Sequence, residues 1–191
     1  MTPDAELLDR WRAGETAAGE ELVARYWASV ARFFRSKIGD DGADLISQTF
    51  LACVESRAQI DNLKAYLFAT ARRRLADHFR RAARSRELDF SVTSVADLAP
   101  GAATELSRMR RGNLLREAMI RIPLDDQIAL ELAYVEELSS REIAEVLELG
   151  ENTVRSRLSR AKDKLRAALA ELAGSPSEAA EAESQLVKSA T

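Results

Sequence analysis

Apolar residues recur at helical spacing along most of the chain. One stripe, within residues 63–86, consists of Leu67, Ala71, Leu75 and Phe79. A second, within residues 152–166, consists of Val154, Leu158, Ala161 and Leu165. Residues at this spacing share one face of a helix, whereas a half-buried strand needs strict alternation, which no segment shows. The pattern therefore predicts an all-α protein.

Glycine and proline divide the chain into segments. Neither residue occurs between residues 43 and 99, so we expect long helices there, with turns at residues 14–19 and 39–42. A Ser-, Thr-, Asp-, Pro- and Gly-containing stretch follows and is typical of a linker. We predict two helical domains, at residues 1–88 and 112–173, joined by a flexible linker at residues 89–111. Residues 174–191 are expected to form an acidic, poorly ordered tail, in which residues 178–188 could be transiently helical.

Composition narrows the class of protein. The 191 residues are 46% hydrophobic and 31% charged, an ordinary globular balance. No apolar run approaches the ~20 residues of a membrane-spanning helix, and the N-terminus lacks the features of a secretory signal. We therefore expect a soluble, cytoplasmic protein. The single cysteine, Cys53, and the single histidine, His78, exclude a disulfide framework and a Cys/His zinc site.

Charge is unevenly distributed along the chain. Residues 64–86 contain eight basic side chains and one acidic, and residues 152–166 contain six and one, although the whole chain has a net charge of −3. Two short basic surfaces on an acidic body suggest contact with a polyanion at two places. Charge alone leaves a second interpretation open, namely two ordinary solvated helix faces.

Residues 137–167 have the pattern of a helix-turn-helix. Ser139 or Ser140 can cap a short helix, with Glu142 at the position of a capping-box acid. A break follows at residues 148–150, and a second helix is expected to begin near Asn152 or Thr153. Its apolar stripe faces the first helix. The opposite face carries Arg155, Ser156, Ser159, Arg160 and Asp163. Arginine and hydroxyl side chains at the start of such a helix suit the major groove of DNA, although an amphipathic hairpin is the simpler alternative.

This second domain resembles region 4 of the extracytoplasmic-function sigma factors of the sigma-70 family. The family pattern is roughly Leu-Pro…Tyr-Val-Glu-Gly-Leu-Ser…Glu-Ile-Ala…Gly-Thr-Val-Lys-Ser-Arg-Leu-x-Arg-Ala. The matching residues are Tyr134-Val135-Glu136, Leu138-Ser139, Glu142-Ile143-Ala144 and Thr153-Val154-Arg155-Ser156-Arg157-Leu158. The chain departs from the pattern at Glu148, where a turn glycine is usual. The resemblance implies binding of the −35 promoter element by Thr153, Arg155, Ser156, Arg157, Ser159 and Arg160.

The first domain is similar to region 2 of the same family. Lys64-Ala65-Tyr66-Leu67-Phe68, Ala71-Arg72 and Asp77-His78-Phe79-Arg80-Arg81 resemble the helices that recognise and melt the −10 element. Arg73 stands where most members have asparagine. The resemblance implies −10 contacts by Arg73, Asp77, Arg80, Arg81 and Arg84. We expect Phe79 to belong to the core rather than to stack on bases.

Residues 44–55 resemble region 2.2, which docks on the β′ clamp helices of RNA polymerase. The resemblance implies polymerase contacts by Asp44, Gln48 and Thr49. It also implies a second polymerase contact, at the β flap, and promoter DNA as a ligand. Many members are held inactive by an anti-sigma factor, which makes such an inhibitor a candidate partner.

The sequence therefore predicts a sigma factor that directs promoter-specific initiation through the −10 and −35 elements and melts the promoter. No catalytic motif, metal site or cofactor-binding loop is recognisable, so an enzyme is not expected. Two alternatives stay open. One is a stand-alone helix-turn-helix regulator that binds DNA as a dimer, and the other is a helical module whose basic faces bind an acidic protein.

Overall fold

In a computed structural model, residues 2–82, 88–98 and 114–188 are described, and all longer regular elements in these ranges are helices. The fold class predicted from the sequence is confirmed. The helices are α1 Asp4–Arg12, α2 Thr16–Ile38, α3 Ala43–Ser56, α4 Leu63–Ala82, α5 Val95–Leu98, α6 Leu114–Met119, α7 Leu124–Tyr134, α8 Ser140–Leu147, α9 Glu151–Leu172 and α10 Pro176–Lys188.

The first predicted turn is shorter than expected. Gly14 has φ 98°, a conformation that glycine adopts without strain. Gly19, however, lies inside α2, so the predicted turn at residues 14–19 is wrong beyond Glu15. A Cβ atom at Gly19 would lie 2.4 Å from Nε1 of Trp11. Glycine is present there because the indole ring of α1 packs directly on the backbone of α2.

Helices α2, α3 and α4 form a small bundle around aromatic residues. Phe33 packs edge-on against Phe34 and Phe68 with ring centroids 5.4 and 5.8 Å apart. The chain turns from α2 into α3 at Gly39 (φ 65°), through a short 3₁₀ helix over Gly39–Gly42. The predicted turn at residues 39–42 is thus present.

The apolar stripe predicted for α4 is fully buried. Leu67, Ala71, Leu75 and Phe79 are each at most 2% exposed. Phe79 is therefore a core residue, as expected. The opposite, basic side of α4 faces outward.

The start of the predicted linker is packed rather than free. Phe90 and Val95 are buried, and Phe90 lies against Phe79 of α4 with ring centroids 6.5 Å apart. The backbone N–H groups of Leu124 and Asp125 donate to the carbonyls of Thr93 and Phe90, at 2.9 and 3.0 Å. Two apolar side chains and these hydrogen bonds anchor residues 88–98 to the start of α7.

The tail also differs from the prediction. Residues 176–188 form α10, which packs on α6 and α9. Ala182 and Leu186 are buried there beside Leu115 and Leu169. Because its apolar residues lie on one face, the acidic segment gains enough burial to be helical, and the expectation of a poorly ordered tail was wrong for this part.

The helices before and after the linker share one hydrophobic core. Phe68 of α4 and Ile143 of α8 belong to the same buried cluster, and α4 packs along α8. None of the helices in the described ranges is long and apolar enough to cross a membrane.

Candidate nucleic-acid interface

The capping box predicted from sequence fixes the start of α8. The Oγ of Ser139 accepts from the backbone N–H of Glu142 at 3.3 Å, and the Glu142 carboxylate accepts from the backbone N–H of Ser139 at 2.7 Å. Burial alone would raise the pKa of Glu142, but hydrogen bonds from Ser139 and Asn62 outweigh it and lower that pKa. The ionised carboxylate therefore stabilises this end of the helix-turn-helix.

The turn between α8 and α9 is built without glycine at its left-handed position. Glu148 has φ 57° and ψ 44°, and the N–H of Leu149 donates to the carbonyl of Ala144 at 3.0 Å. Gly150 is extended and precedes α9, which begins at Glu151, slightly earlier than predicted. A left-handed non-glycine residue costs about 1–2 kcal/mol. This short turn fixes the angle at which α8 and α9 cross.

A second left-handed residue lies in the loop before α8. Glu137 has φ 54°. The sequence contained a signal for it, because Glu137 stands at the position of the glycine in the family pattern Tyr-Val-Glu-Gly-Leu-Ser. The predictions from sequence did not include this left-handed residue.

The outward face of α9 is open to solvent along its first three turns. The exposed side chains there are Thr153, Arg155, Ser156, Ser159 and Arg160. The stripe behind them anchors the helix, with Val154, Ala161 and Leu165 at most 1% exposed. Among the described residues, Arg155 pairs with Glu151 one turn earlier on the same helix, and its guanidinium stays at the surface. The arrangement presents arginines and hydroxyls from a rigid support, as major-groove readers require.

The outward face of α4 forms a second arginine-bearing surface. Arg73, Asp77, Arg80 and Arg81 are all exposed. Asp77 accepts from Arg80 at 3.2 Å, and its backbone carbonyl accepts from Arg81 at 3.3 Å. Arg84 lies outside the described residues. An arginine-rich helix face of this kind can follow a phosphate backbone.

A family model, a sequence relative and a solved structure all indicate similarity to sigma factors. Residues 112–165 match the family model for sigma-70, region 4. Over 153 residues the chain is 27% identical to the ECF RNA polymerase sigma factor SigM of Bacillus subtilis (strain 168), covering 78% of this chain and 93% of the relative. The structure of CnrH in complex with the cytosolic domain of CnrY superposes with a TM-score of 0.66 at 25% identity, covering 89% of this chain and 99% of the other.

Residues 112–165 therefore match sigma-70 region 4, and the chain as a whole is similar to extracytoplasmic-function sigma factors. A further solved complex, the sigma factor RpoE with the anti-sigma factor NepR from Bartonella quintana, shares the fold. It has a TM-score of 0.60 and 18% identity, covering 78% of this chain and 95% of the other. These similarities support a role in transcription initiation.

On α9, Arg157 does not point outward with its neighbours. Its side chain is 15% exposed and donates to Asp126 of α7 at 3.2 Å. Lys164, two turns further along α9, donates to the other oxygen of Asp126 at 2.6 Å. Asp126 is almost completely buried. The structure thus places Arg157 between α7 and α9, where it holds α9 in position, and not on the exposed face, although the family resemblance implied a −35 contact for it.

Two further basic side chains of α9 also have partners in the structure. Lys162 lies over the ring of Tyr134, 4.7 Å from its centroid. Arg166 donates to Asp163 at 3.2 Å and to Glu183 of α10 at 2.8 Å. The acidic C-terminal helix α10 therefore neutralises one cation in the C-terminal half of α9.

The polymerase-docking residues predicted on α3 separate into two groups. Asp44 is exposed, and Gln48 donates to its carboxylate at 2.6 Å. Thr49 is completely buried, and its hydroxyl donates to the carbonyl of Leu45 at 2.7 Å. Thr49 therefore cannot contact a partner directly in this conformation, because its side chain faces the bundle.

Sequence reasoning missed an apolar patch beside Asp44. The exposed large apolar residues of α2 and α3 are Trp27, Leu51 and Val54. Trp27 stacks on Phe50 with ring centroids 5.4 Å apart. Hydrophobic periodicity does not reveal this patch, because it cannot distinguish an apolar side chain in the core from an apolar side chain at the surface of the same helix.

The single cysteine of the chain lies inside the fold. Cys53 is buried, and burial raises the pKa of its thiol to about 12. Across the described ranges, no group of three or more His, Cys, Asp and Glu side chains could hold a metal ion.

Proposed function

We propose that the protein binds core RNA polymerase and directs promoter-specific initiation by reading the −10 and −35 elements and by melting the promoter. One observation carries the proposal: two exposed arginine-bearing faces, on α4 and on the first turns of α9, lie on opposite sides of the linker in one chain. Two DNA-binding faces that are weak on their own and are joined by a linker become selective when a bound partner fixes the distance between them. Polymerase, bound through α3, would be that partner.

At the −35 element, α9 would enter the major groove. Arg155 and Arg160 would contact guanine edges, and Thr153, Ser156 and Ser159 would contact bases or phosphates. We assign Arg157 a positioning role, because its guanidinium already pairs with Asp126.

At the −10 element, the outward face of α4 would follow the DNA backbone and help to hold the opened strand. Arg73, Arg80 and Arg81 carry the positive charge for this contact, and Asp77 orients two of them. Arg84 is retained in this set on the sequence resemblance alone.

On the polymerase, we propose that Asp44 and Gln48 contact the β′ clamp helices, that the C-terminal helices contact the β flap, and that Thr49 positions α3 from inside. The units would be residues 1–88 and 112–173, with residues 89–111 as the tether, and the protein would act in the cytoplasm, where the polymerase acts. Since NepR is the partner of RpoE in one related structure, we also propose an anti-sigma factor for this chain.

Reconstitution with purified core polymerase tests the proposal. The expected result is co-elution with the core enzyme and run-off RNA from discrete start sites on genomic templates. A stand-alone regulator would instead bind a palindrome tightly as a dimer without polymerase. Neither co-elution nor start-specific RNA on any template would overturn the proposal.

A further inference from the structure

A cavity lies between α2, α6 and α7, and we call it the α2–α7 cavity. Its volume is about 570 Å³, which is within the range of roughly 300–1,000 Å³ that is usual for small-molecule sites. Its rim includes the exposed residues Ala28 and Arg32 of α2 and Arg116 of α6. Its apolar lining consists of Phe33, Phe68, Leu115, Met119, Leu132 and Leu186. The cavity is thus large enough for an organic molecule and can be reached from solvent.

The apolar walls of the cavity belong to two separate hydrophobic clusters. Phe33 and Phe68 are part of the larger cluster, and their ring centroids are 5.8 Å apart. Leu115 and Met119 are part of the smaller cluster. Because each cluster packs on itself, these side chains are engaged on either side of the cavity and do not fill it. Voids wider than a water molecule are few in protein interiors, so a cavity of this size is an unusual feature of the core.

The lining of the cavity is poorly suited to water. An ordered internal water needs about two to four polar partners, whereas most of this lining is apolar. A molecule with an apolar body would bury its surface against the rings and aliphatic side chains of the walls, which is favourable. The lining therefore favours an apolar occupant.

The amide of Gln127 provides a polar group on the wall of the cavity. Gln127 is 1% exposed, and its Nε2 donates to Oε1 of Glu131 at 3.0 Å. This hydrogen bond fixes the orientation of the amide, because the reverse orientation would place two acceptors side by side. Among the described residues, Oε1 of Gln127 then has no hydrogen-bond donor. Since a buried acceptor without a donor is unfavourable, this oxygen selects for an occupant with an N–H or O–H group.

The carboxylates that line the cavity already have partners. Glu131 accepts from the buried ammonium of Lys37 and from the hydroxyl of Ser36, the latter at 3.2 Å. Glu136 accepts from Arg32. A cationic occupant would have to displace one of these partners, and an anionic occupant would lie beside the carboxylates in an apolar site. A neutral hydrogen-bond donor is therefore the group that fits.

We propose that the α2–α7 cavity binds a small neutral molecule with an aromatic or other apolar body and one hydroxyl or N–H group. The apolar body packs against Phe68, Met119 and Leu132, and the donor bonds to Oε1 of Gln127. A mostly apolar cavity with a few precisely placed polar groups is the usual form of a small-molecule site. The inference goes beyond the proposed function and does not rest on it, because binding is measured without polymerase or DNA.

Titration of the full chain with two matched probes tests the site. Indole has one N–H group, and benzofuran has the same shape with an oxygen in place of that group. Isothermal titration calorimetry should show that indole binds about tenfold more tightly than benzofuran, because only indole can donate to Gln127. Gln127→Leu removes the acceptor and keeps a side chain of similar size, so the two probes should bind this variant equally.

Two further measurements locate the bound probe. The chain has three methionines, and Met119 lines the cavity. In a methyl-labelled methionine NMR spectrum, indole should shift the Met119 signal, which is assigned with Met119→Leu. Ala28→Trp places a large side chain at the rim and should weaken indole binding at least tenfold. Its matched control is Ala17→Trp, at an exposed position of α2 outside the lining, which should leave the affinity unchanged.

The outcomes distinguish the site from binding elsewhere. Tighter binding of indole than of benzofuran, together with a shift of the Met119 signal, supports the site and does not depend on the folding of any variant. The absence of binding by both probes, or equal affinities of the unmutated chain for them, overturns it. Binding that leaves the Met119 signal unchanged, or that Ala28→Trp does not weaken, takes place elsewhere and also overturns it. Run-off transcription is a separate measurement, so its failure would overturn the proposed function and leave this site supported.

Discussion

Helices α4 and α9 each carry six lysine and arginine residues but use these charges in different ways. Both have a buried apolar stripe and several basic residues. On α4, Lys64 and Arg72 pair with Glu136 and Asp125, which follow the linker, while Arg80 faces solvent. On α9, Arg157 pairs with Asp126 in the interior, while Arg160 faces solvent.

The two helices differ in where their paired cations are anchored. The paired cations of α4 bind carboxylates on the other side of the linker, so they stabilise a domain arrangement. The paired cation Arg157 binds a carboxylate of the adjacent helix α7, so it stabilises the helix-turn-helix itself. The basic side chains of these two helices therefore fall into three groups, namely exposed, paired with helices across the linker and paired with the adjacent helix, and the location of the acidic partners separates them.

The largest expected effect is a loss of stability when the packing of α9 on α7 is disturbed. Asp126→Asn removes the nearly buried carboxylate that pairs with both Arg157 and Lys164. Arg157 then keeps only Asp125 among the described carboxylates, at 3.9 Å, so we expect a loss of about 3 kcal/mol in the free energy of unfolding. Chemical denaturation measures it. Asp163→Asn removes an exposed partner of Arg166 and should change stability by less than about 0.5 kcal/mol. Equal effects of the two substitutions would contradict the distinction between interior and surface pairs.

The next effect concerns DNA reading by α9. Arg160→Ala should weaken −35-dependent promoter binding by about 1–3 kcal/mol and relax base preference at one position. Competition binding of the polymerase complex to promoter variants measures both. Arg121→Ala, a surface arginine outside α9, serves as the control. If Arg160→Ala leaves base preference intact, Arg160 does not read sequence.

A smaller effect is expected where the tail covers α9. Glu183→Gln removes the carboxylate that accepts from Arg166 at 2.8 Å. The freed guanidinium could then neutralise one more phosphate, which would steepen the slope of log affinity against log salt by about 0.9. Glu181→Gln, an exposed residue of the same helix, controls for net charge. Equal slopes in both variants would place Arg166 away from the DNA.

The smallest expected effect is a change in stability from the loop that precedes α8. Glu137→Gly relieves a left-handed conformation at φ 54° and should raise the free energy of unfolding by up to about 1 kcal/mol. Thermal denaturation measures it. A destabilised Glu137→Gly variant would show that the Glu137 side chain makes a contribution larger than the strain.

Local features of this structure could be predicted from the sequence, because their causes lie within a few residues. The stripes of α4 and α9, the Ser139 cap and the unusual turn residue Glu148 all belong to this group. The role of Arg157 could not be predicted, because its partner Asp126 is 31 residues away. Lys37 and Glu131, 94 residues apart, show the same limit. For the tail, a transient helix could be predicted but its packing could not, because its few apolar residues are buried against α6 and α9.

The central claim is that two separate arginine faces on one chain select promoters together with polymerase. Mapping transcript starts in cells that overexpress the chain tests it most directly, with Arg80→Ala and Arg160→Ala run in parallel. We predict new starts that share two upstream sequence elements, with weaker starts for Arg80→Ala and altered preference at the upstream element for Arg160→Ala. New starts without shared elements, or no new starts at all, would contradict it.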